Sequence, residues 1–584
     1  MQSTWVMKNI RYDYEGLAKM VNLPVPVVRC IINRGPGSLA EVKAYLDPSL
    51  KDLHDGGLMK DMDLAVDLLL KAVEEEEKIL LVGDYDIDGT MSMYIALKAL
   101  EQIGAVVDYD IPDRVMDGYG INVAMVEKAK ENGVSLLVTF DNGISAVEAV
   151  ERAKELGMEV IVTDHHEVPF EEVEGVVKEI LPPAHAVVNP KQKSCPYPFK
   201  GLCGAVIAYK LMEKLFQAVG LEETAIEEYL PFAAIATVGD IMPLMGENRI
   251  LVKKGLERLR SIDHEGLQAL AEAADTDLKE VNTYIIGFVL GPCFNAAGRL
   301  SSAKKTVELL FAKGQEAKSL ARELYALNQE RKDLTEEGIG LAMADIEVKK
   351  KEKEKLLVVH LPEVHESLAG IIAGRLKERY YRPSIVFTTT EKGLKGSGRS
   401  IEEYNMAKEL QGVKAHLVKF GGHPMAAGMT LKEGALKAFE EDLLQRCALP
   451  KELQPTKRID AKLSPFDIDE AFVRSLEKLE PFGVQNPKPL FAEKGLLISQ
   501  VYLMGKNKDH MKLLFQEGSH RVEAVYFSGV PKMEAYLIAQ GMPLPEDLPG
   551  MLQGKRCDVL YHPGLNTYQG VTKVQIILED FRWS

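Results

Sequence analysis

The segment LLVGDYDIDGT, residues Leu80–Thr90, decides the fold of this chain. It overlaps an apolar run, Ile79–Val82, that is typical of a buried parallel strand and that ends at Gly83. Three carboxylates follow at alternate positions: Asp84, Asp86 and Asp88. Ligands of open α/β sheets bind beyond the carboxyl ends of the strands, where three crowded acids would repel one another unless a cation held them. The segment therefore predicts a divalent-metal site, and a solvated acidic turn is the alternative.

Strand and helix patterns alternate beyond this segment. Apolar runs predict further strands at Val106–Ile111, Leu136–Phe140 and Val160–Thr163, and helical patterns lie between them. This alternation is typical of an α/β chain with a doubly wound parallel sheet. A later apolar run covers Ala233–Val238 and precedes Asp240.

Four apolar segments of the chain thus end in carboxylate or imidazole groups. Besides the first three acids, these residues follow such segments: Asp141, Asp164, His165, His166 and Asp240. We expect them at one edge of one sheet, where a bridging carboxylate can hold two ions about 4 Å apart. Carboxylate and imidazole ligands without thiolate favour Mn²⁺ or Mg²⁺ over zinc. Because the two histidines are adjacent, we expect one to be a ligand and the other to contact the substrate or a neighbouring ligand.

Length, charge and cysteine usage set the class of protein. The chain has 584 residues, and at about 150 residues each this suggests about four domains. Its net charge of −16 disfavours bulk electrostatic binding of nucleic acid but allows a local basic groove or phosphate held through metals. Six cysteines form no CxxC pair, and the sequence shows neither a signal peptide nor an apolar run of about 18 residues. We therefore expect a cytoplasmic protein with reduced thiols and no membrane association.

Several motifs, in this order, resemble the bacterial RecJ exonucleases of the DHH phosphoesterase superfamily. The first set is GDYDIDGT, FDNGIS, TDHHEVP and VGDIMPL. The second set is IPDRVMDGYG at 111–120, FNAAGRLSSA at 294–303, KGSGRS at 395–400, KFGGHPMAAG at 419–428 and LEPFGVQNPKPLF at 479–491. The triplet DHH alone would be a weak signal, whereas the ordered set covers nearly the whole chain.

The resemblance implies a role for individual positions. Its metal ligands are Asp84, Asp86, Asp88, Asp141, His165 and Asp240, with Asp141 as the bridge and Asp84 either a ligand or a neighbour of one. The catalytic set is Asp141, His165 and His166, with His166 facing the scissile phosphate and Asp164 orienting the histidines. The substrate-binding set is Arg114, Tyr119, His166, Asn295, Arg299, Ser397, Arg399, Gly421, Gly422 and His423.

The resemblance and the pattern together predict five regions. They are a helical lead-in at 1–50, a DHH catalytic domain at 51–305, a connecting helix at 306–355, a second α/β, DHH-associated domain at 356–450 and an all-β, OB-like domain at 455–584. In the second α/β domain, KGSGRS and GGHPMAAG read as two glycine-rich turns that grip backbone phosphates together with Arg399.

The function implied by the resemblance is metal-dependent hydrolysis of single-stranded DNA, 5′ to 3′, to 5′-mononucleotides in DNA repair and recombination. The implied cofactor is a pair of Mn²⁺ or Mg²⁺ ions. Implied partners are single-stranded DNA, a single-strand-binding protein and a repair helicase, and the implied state is a monomer.

Two other functions stay open. One is a related phosphodiesterase for short oligonucleotides or cyclic dinucleotides, and the β-rich region 455–584 argues against it. The other is a catalytically inactive DNA-binding scaffold, which the full set of expected ligands disfavours.

One departure from the family pattern concerns Cys293. RecJ-like sequences usually read GPRxNAAGR, whereas this chain reads GPCFNAAGR, so a thiol replaces a basic residue and puts one phosphate contact in doubt. We expect Phe294, the next residue, to serve in packing.

Overall fold

The structure is a computed structural model that describes residues 3–114, 116–173, 176–391 and 393–583. The chain forms two compact units, one from Met1–Ser49 with Gln454–Ser584 and one from Leu50–Leu453. No helix among the described residues is both long and apolar enough to cross a membrane.

The N-terminal segment of the split unit begins with a strand. Its elements are β1 (Thr4–Met7), α1 (Tyr14–Val21), α2 (Val25–Ile32) and α3 (Leu39–Leu46). The lead-in predicted as helical at 1–50 contains these three helices, but the sequence reading missed β1, which pairs in parallel with residues 456–459. Four residues with Thr, Trp and Val among them suit an edge strand, but so short a run gives no clear period in the sequence.

A five-stranded parallel sheet forms the centre of the larger unit, as predicted. Its strands and a neighbouring hairpin are β2 (Lys78–Val82), β3 (Val106–Asp110), β4 (Leu136–Phe140), β5 (Glu159–Thr163), β6 (Phe170–Val173), β7 (Val176–Glu179) and β8 (Ala186–Val188). The strand order is β3-β2-β4-β5-β8, and β6 pairs only with β7. The helices between the strands are α4 (Met62–Glu74), α5 (Ile87–Gln102), α6 (Val123–Glu131) and α7 (Val147–Glu155).

Both faces of this sheet are covered. Ile79 and Leu81 of β2 pack into one apolar cluster, whereas Leu80 and Val82 pack into another on the opposite face. Successive side chains of a strand point to opposite faces, so a strand buried on both sides must be apolar throughout. This explains the continuous aliphatic run that precedes the acids.

The next part of the unit is entirely helical. Its elements are α8 (Gly204–Ala218), α9 (Leu230–Gly239), α10 (Gly246–Leu259), α11 (Glu265–Ala273), α12 (Thr283–Ile285), a π-helical segment (Ile286–Leu290), α13 (Gly291–Leu300), α14 (Lys304–Phe311) and α15 (Gly314–Val348). Helix α15 confirms the long connecting helix.

The expectation that Asp240 follows a strand of the sheet was wrong, because Ala233–Val238 belongs to α9. Eight of the ten residues of this helix are buried, so its sequence is apolar on every side and carries no helical period. An apolar run of this kind cannot be told from a buried strand by pattern alone.

A second sheet follows α15. Its elements are β9 (Leu357–His360), α16 (Ala369–Tyr380), β10 (Ser384–Thr390), β11 (Gly393–Arg399), α17 (Met406–Gly412), β12 (Leu417–His423), β13 (Ala426–Leu431) and α18 (Leu436–Arg446), and the strand order is β12-β13-β11-β10-β9. KGSGRS lies largely in β11, so its reading as a turn was wrong, whereas GGHPMAAG spans the end of β12, the turn at 424–425 and the start of β13. At Gly396 a Cβ atom would overlap the Phe387 ring, so this glycine makes room for core packing.

The C-terminal part of the split unit is a closed β-barrel, which confirms the OB-like prediction. Its elements are β14 (Thr456–Ile459), β15 (Ala461–Lys462), α19 (Glu470–Glu477), β16 (Phe491–Met504), β17 (His510–Glu517), β18 (His520–Tyr526), α20 (Gly529–Ala539), α21 (Leu548–Leu552), β19 (Arg556–Tyr568) and β20 (Val571–Trp583). The order is β15-β16-β17-β18-β20-β19, and pairing of β16 with β19 closes the barrel. A buried Arg34–Asp460 ion pair, 3.0 Å long, joins the segment after α2 to the barrel.

A buried ion pair between α8 and α10 allows a test of this packing. The Lys210 and Glu247 side chains are 1% and 3% exposed, and Lys210 Nζ lies 3.1 Å from Glu247 Oε1. We expect Lys210→Met to lower the free energy of unfolding by about 3–5 kcal/mol, because it leaves a buried carboxylate without its cation. Thermal and urea unfolding would measure the loss.

The matched control is Lys214→Met on the same helix. Lys214 pairs with the largely exposed Asp55, so this change should cost under about 1 kcal/mol. Equal losses in the two variants would contradict a special role for the buried pair.

Candidate metal centre

The loop after β2 places three aspartates around the start of α5. Asp86 is the N-cap of α5, and its Oδ1 accepts hydrogen bonds from the N–H groups of Asp88 (2.9 Å) and Gly89 (3.2 Å). A Cβ atom at Gly89 would overlap the backbone of Asp84, so glycine is needed for this tight approach. Capping and a close turn thus explain why this loop carries short acids and a glycine.

Asp141 and His165 come from the ends of neighbouring strands β4 and β5. Asp141 adopts a left-handed backbone with φ 63°, a strained conformation that aspartate tolerates better than most residues. His165 Nε2 lies 3.1 Å from Asp141 Oδ1, 3.5 Å from Asp88 Oδ2 and 3.7 Å from Asp240 Oδ2. The imidazole therefore stands at the centre of the acids, and α9 supplies Asp240 from its C-terminal end.

The ligand atoms form three groups in which every atom lies within 4.8 Å of the others. The groups are Asp84, Asp86 and Asp141; Asp88, His165 and Asp240; and Asp141, His165 and His166. Asp141 belongs to two groups and so stands where the sequence expects a bridge. The structure thus brings together all six expected ligands and the second histidine.

The start of α8 holds Asp88 in place. The N–H groups of Gly204 and Ala205 donate to the two oxygens of the Asp88 carboxylate at 2.6 and 2.8 Å. A Cβ atom at Gly204 would lie 2.6 Å from the Asp141 Cβ, so the helix also packs directly on Asp141. Helix N-termini attract negative charge, so the position of Asp88 at the start of α8 is favourable.

Burial and mutual repulsion raise the pKa of four acids. The pKa of Asp84, Asp141 and Asp240 lies well above the ordinary value, first because burial disfavours the charged form and then because neighbouring carboxylates repel. The pKa of Asp86 is raised for the same reasons. Asp84 Oδ1, Asp141 Oδ1 and His165 Nδ1 are buried and have no hydrogen-bond partner among the described residues. Buried oxygen and nitrogen atoms that lack a hydrogen-bond partner are suitable ligand atoms for a divalent cation.

The two histidines differ in charge. Burial lowers the pKa of His165 to about 4, so this ring is neutral and can bind a metal. The Asp164 hydrogen bond and charge overcome the burial of His166 and raise its pKa to about 9. His166 Nδ1 lies 2.8 Å from Asp164 Oδ1 and 3.1 Å from the Tyr119 hydroxyl.

Asp164 organises the loop that carries both histidines. Its Oδ1 accepts from the backbone N–H groups of His165 (2.7 Å) and His166 (3.0 Å), and its Oδ2 accepts from Ile144 N–H (2.9 Å). Although burial acts against ionisation, the hydrogen bond and the charge of His166 lower the pKa of Asp164. It therefore orients His166 through the ring and His165 through the backbone.

Arg114 lines a cavity of about 250 Å³, and Arg299 and Arg399 each contact a serine of its wall. Its lining includes Tyr85, Arg114, Tyr119, Ser367 and Ser397. The Arg114 guanidinium lies over the Tyr85 ring at 4.7 Å, Arg299 donates to the Ser367 carbonyl at 3.0 Å, and Arg399 contacts Ser397 Oγ at 3.2 Å.

None of the three arginines pairs with a carboxylate in the described part of the chain. Burial, and then the charge of Arg114, lower the pKa of Arg299 to about 10 and also lower that of Arg399. Partly buried guanidinium groups without counter-charge are costly and suit an anionic ligand.

Other expected substrate residues have local partners. Asn295 Oδ1 accepts from Ile87 N–H at 2.8 Å, so this side chain holds the start of α5, beside Asp86 and Asp88. His423 lies at the exposed end of β12, and its Nδ1 accepts from Met425 N–H at 3.3 Å. Gly422 has φ 145°, and a Cβ there would overlap the Ala426 carbonyl oxygen. The close pairing of β12 with β13 is therefore sufficient to explain the glycine at position 422. Gly421 pairs with Gly428 in the same hairpin.

Cys293 points into the protein. It is fully buried, its thiol donates to the Val289 carbonyl at 3.3 Å, and Asn328 Nδ2 of α15 lies 3.4 Å from its sulfur. Phe294 is also buried, as expected for a packing residue.

Sequence reasoning missed several residues that support the site. Asn142 donates to the carbonyls of Val82 (3.0 Å) and Phe140 (2.9 Å) and so ties β2 to β4 beside the acids. The amides of Gly204 and Ala205 were also missed, because backbone donors have no signature in side-chain chemistry. A glycine directly before an apolar helix was the one available signal.

Three family profiles match the chain. They are the DHH family N-terminal domain at 78–237, the DHHA1 domain at 353–448 and the RecJ OB domain at 459–580. The single-stranded-DNA-specific exonuclease RecJ of Escherichia coli K12 is 34% identical over 583 residues, which cover 96% of each chain. The chain belongs to the RecJ family. The RecJ protein of Haemophilus influenzae is 35% identical over 83% of this chain and 86% of its own length.

Solved RecJ structures share the fold. The Thermus thermophilus RecJ complex with Mn²⁺ covers all of this chain and 80% of its own, with a TM-score of 0.82 and 26% identity. The Mg²⁺ complex from the same organism covers 78% of its own chain, with a TM-score of 0.73 and 25% identity.

Metal binding should stabilise the protein. Adding Mn²⁺ to chelator-treated protein should raise the melting temperature, because the cation removes repulsion among buried acids. At a concentration of 100 times Kd, one site would add about 2.7 kcal/mol. Differential scanning calorimetry would measure the shift.

The variant Asp141→Ala removes an acid shared by two ligand groups and should lose most of this shift. Asp108→Ala, which removes an exposed acid of β3, should keep it. A full Mn²⁺ shift in Asp141→Ala would contradict the assignment.

Proposed function

We propose that this RecJ-family chain is a metal-dependent exonuclease that hydrolyses single-stranded DNA 5′ to 3′ and releases 5′-mononucleotides, in DNA repair and recombination. The proposal rests on one observation: acidic and basic groups that lack partners lie side by side. Buried acids and His165 gather on one side, and unpaired arginines gather beside them. A phosphodiester bound to metal and guanidinium groups satisfies both.

The residues present fit two divalent ions. Asp84, Asp86 and Asp141 would hold one ion, and Asp88, His165 and Asp240 would hold the other. The 3.1 Å distance between Asp141 Oδ1 and His165 Nε2 supports the bridging role predicted for Asp141. Two bound Mn²⁺ or Mg²⁺ ions would supply an activated water and a polarised phosphodiester. Solved relatives that hold Mn²⁺ and Mg²⁺ support this choice of cofactor.

The protein's own groups position the strand. The His166 ring is half-exposed and is held by Asp164, whose hydrogen bond raises its pKa to about 9, so it can donate a hydrogen bond to the phosphate under attack. Arg114, Arg299 and Arg399 offer planar N–H donors that match phosphate oxygens. In the reaction water adds to phosphorus, the bond to the leaving O3′ breaks, and the terminal nucleotide departs with its 5′-phosphate.

The RecJ OB domain favours long strands over small substrates. Residues 459–580 match this domain, and OB-folds bind single strands through stacking and basic grooves. The intact ligand groups disfavour an inactive scaffold. The proposal includes a monomer acting in the cytoplasm, with a single-strand-binding protein and a repair helicase as partners, and this part rests on the RecJ resemblance.

The test uses a single strand of about 40 nucleotides, labelled at the 5′ or the 3′ end, and the blunt duplex. We expect early release of the 5′ label as mononucleotide, from the single strand only and with Mn²⁺ only. Asp141→Ala should abolish cleavage, and Asp108→Ala should retain it. Early release of 3′ label, or cleavage of dinucleotides alone, would overturn the proposal.

Arg399→Ala should lower activity without loss of stability. Losing charge-assisted phosphate contacts worth about 1.5–3 kcal/mol should reduce kcat/KM by about 10- to 150-fold. The melting temperature should hold or rise, because a buried unpaired cation is removed. Arg375→Ala, which removes an exposed arginine of α16, is the control and should change neither property. A large fall in melting temperature would show that Arg399 is structural.

A further inference from the structure

The first turn of α5 lies between two of the expected metal ligands, and its N–H groups are capped from two sides. Asp86 Oδ1 accepts from the N–H groups of Asp88 and Gly89. Ile87, the first residue of the helix, donates its N–H to Oδ1 of Asn295 in α13 at 2.8 Å. The first N–H groups of an α-helix have no partner within the helix, so Asn295 completes a cap that Asp86 makes only in part.

This hydrogen bond fixes which way the Asn295 amide faces. A backbone N–H can only donate, so the amide oxygen of Asn295 must face Ile87. The amide nitrogen is then the only part of the group that could donate to a phosphate. The two roles open to Asn295, holding the metal loop and contacting the substrate, therefore use different atoms.

One face of α13 lies along the loop that carries the acids. A Cβ atom at Gly298 would lie 2.2 Å from the Tyr85 carbonyl oxygen, and a Cβ atom at Gly291 would lie 3.4 Å from Ile87 Cδ1. Gly291, Asn295 and Gly298 follow the spacing i, i+4, i+7, which places them on the same side of the helix. The hydrogen bond of Asn295 is thus the polar contact in the middle of a close backbone approach.

The Ile87 side chain extends this contact to a third ligand. Ile87 is 1% exposed, and a Cβ atom at Gly239 of α9 would lie 2.6 Å from its Cγ2. Asp240 follows Gly239 directly, and the Ile87 backbone stands between Asp86 and Asp88. One residue therefore connects the position of α13 to acids from both the β2–α5 loop and the end of α9.

We propose that Asn295 is a positioning residue of the metal centre, whose amide oxygen fixes the Ile87 peptide and through it the orientation of Asp86 and Asp88. The proposal rests on the two-ion site of the proposed function. Groups that orient metal ligands from behind commonly change metal affinity or activity by about 10- to 100-fold when they are replaced.

The charges of the loop explain why such a restraint is needed. Asp86 and Asp88 are two residues apart, and buried carboxylates repel each other. An unrestrained first turn would relax by moving them apart, and the ion would then have to pull them together at a cost to its own affinity. With the Ile87 peptide held by Asn295, the acids are in place before the ion arrives.

The test separates the two atoms of the amide. Asn295→Asp keeps the oxygen acceptor and loses the N–H donor, whereas Asn295→Leu and Asn295→Ala lose both. Thr306→Val is the matched control, because Thr306 Oγ1 donates to the Phe294 carbonyl at 3.2 Å and so holds α13 from the side of α14. Calorimetric titration of chelator-treated protein with Mn²⁺, without DNA, would give the metal affinity. Initial rates with oligo-dT of about 40 nucleotides at saturating Mn²⁺ would give kcat and KM.

We expect Asn295→Leu and Asn295→Ala to raise the Kd for Mn²⁺ by about 10- to 100-fold and to keep the KM for the strand once Mn²⁺ is saturating. Asn295→Asp should bind Mn²⁺ at least as tightly as the wild type, because the acceptor remains and its charge attracts the cation. Thr306→Val should lower the melting temperature through a lost buried hydrogen bond and leave the Kd for Mn²⁺ unchanged.

An unchanged Kd for Mn²⁺ in folded Asn295→Leu or Asn295→Ala, with normal binding by the wild type, would overturn the positioning role. A raised KM in the same variants would then make Asn295 a substrate contact. Equal losses of Mn²⁺ affinity in Asn295→Asp and Asn295→Leu, or the same loss in Thr306→Val, would also overturn it, because the acceptor oxygen would not be the cause. Failure of wild-type protein to bind Mn²⁺ would instead contradict the metal centre of the proposed function.

Discussion

Mutual repulsion among buried carboxylates is the constraint on which the rest of this structure depends. Acids from the β2–α5 loop, β4 and α9 meet around one imidazole, in a place with little water to screen them. Backbone donors offset part of the repulsion, since α8 directs two N–H groups at Asp88 and α5 directs two at Asp86. Oxygens of Asp84 and Asp141 keep no such partner. The fold therefore builds a site that is complete only with a cation.

The arginines beside the acids likewise remain without ion-pair partners. Arg299 is close enough to Asp86 for their charges to interact, yet neither it nor Arg399 forms an ion pair with a described carboxylate. Local hydrogen bonds to Ser367, Ser397 and the nearby backbone hold the guanidinium groups instead. If acids and arginines neutralised each other, neither set could bind its ligand. Because the acids and arginines stay apart, their charges remain unpaired at a cost in free energy, and binding of a phosphodiester relieves this cost.

The sequence predicted the parallel sheet and the gathering of acids and histidines beside it because both depend on local patterns. An aliphatic run followed by short acids is readable without tertiary information, and β2, β4 and β5 all have that form. Helix α9 lacked a readable pattern, since burial on every side removes the helical period. The glycine-rich strand β11 was misread because Gly396 is explained by a distant ring, Phe387, that no local window contains. Supporting groups such as Asn142 and the Gly204 amide were out of reach for the same reason.

Helix α15 sets the spacing between the two α/β parts of the larger unit. Its 35 residues extend about 52 Å without a break, and Asn328 fastens it to α13 beside Cys293. In a continuous α-helix, each added residue lengthens the helix by about 1.5 Å and rotates everything beyond it by about 100° about the helix axis. We therefore expect the protein to tolerate insertions and deletions in this segment far less well than substitutions on its surface. Substitutions in α15 should therefore be easy to accommodate. A change in its length should be accommodated only when the number of residues added or removed restores the rotation between the two ends of the helix.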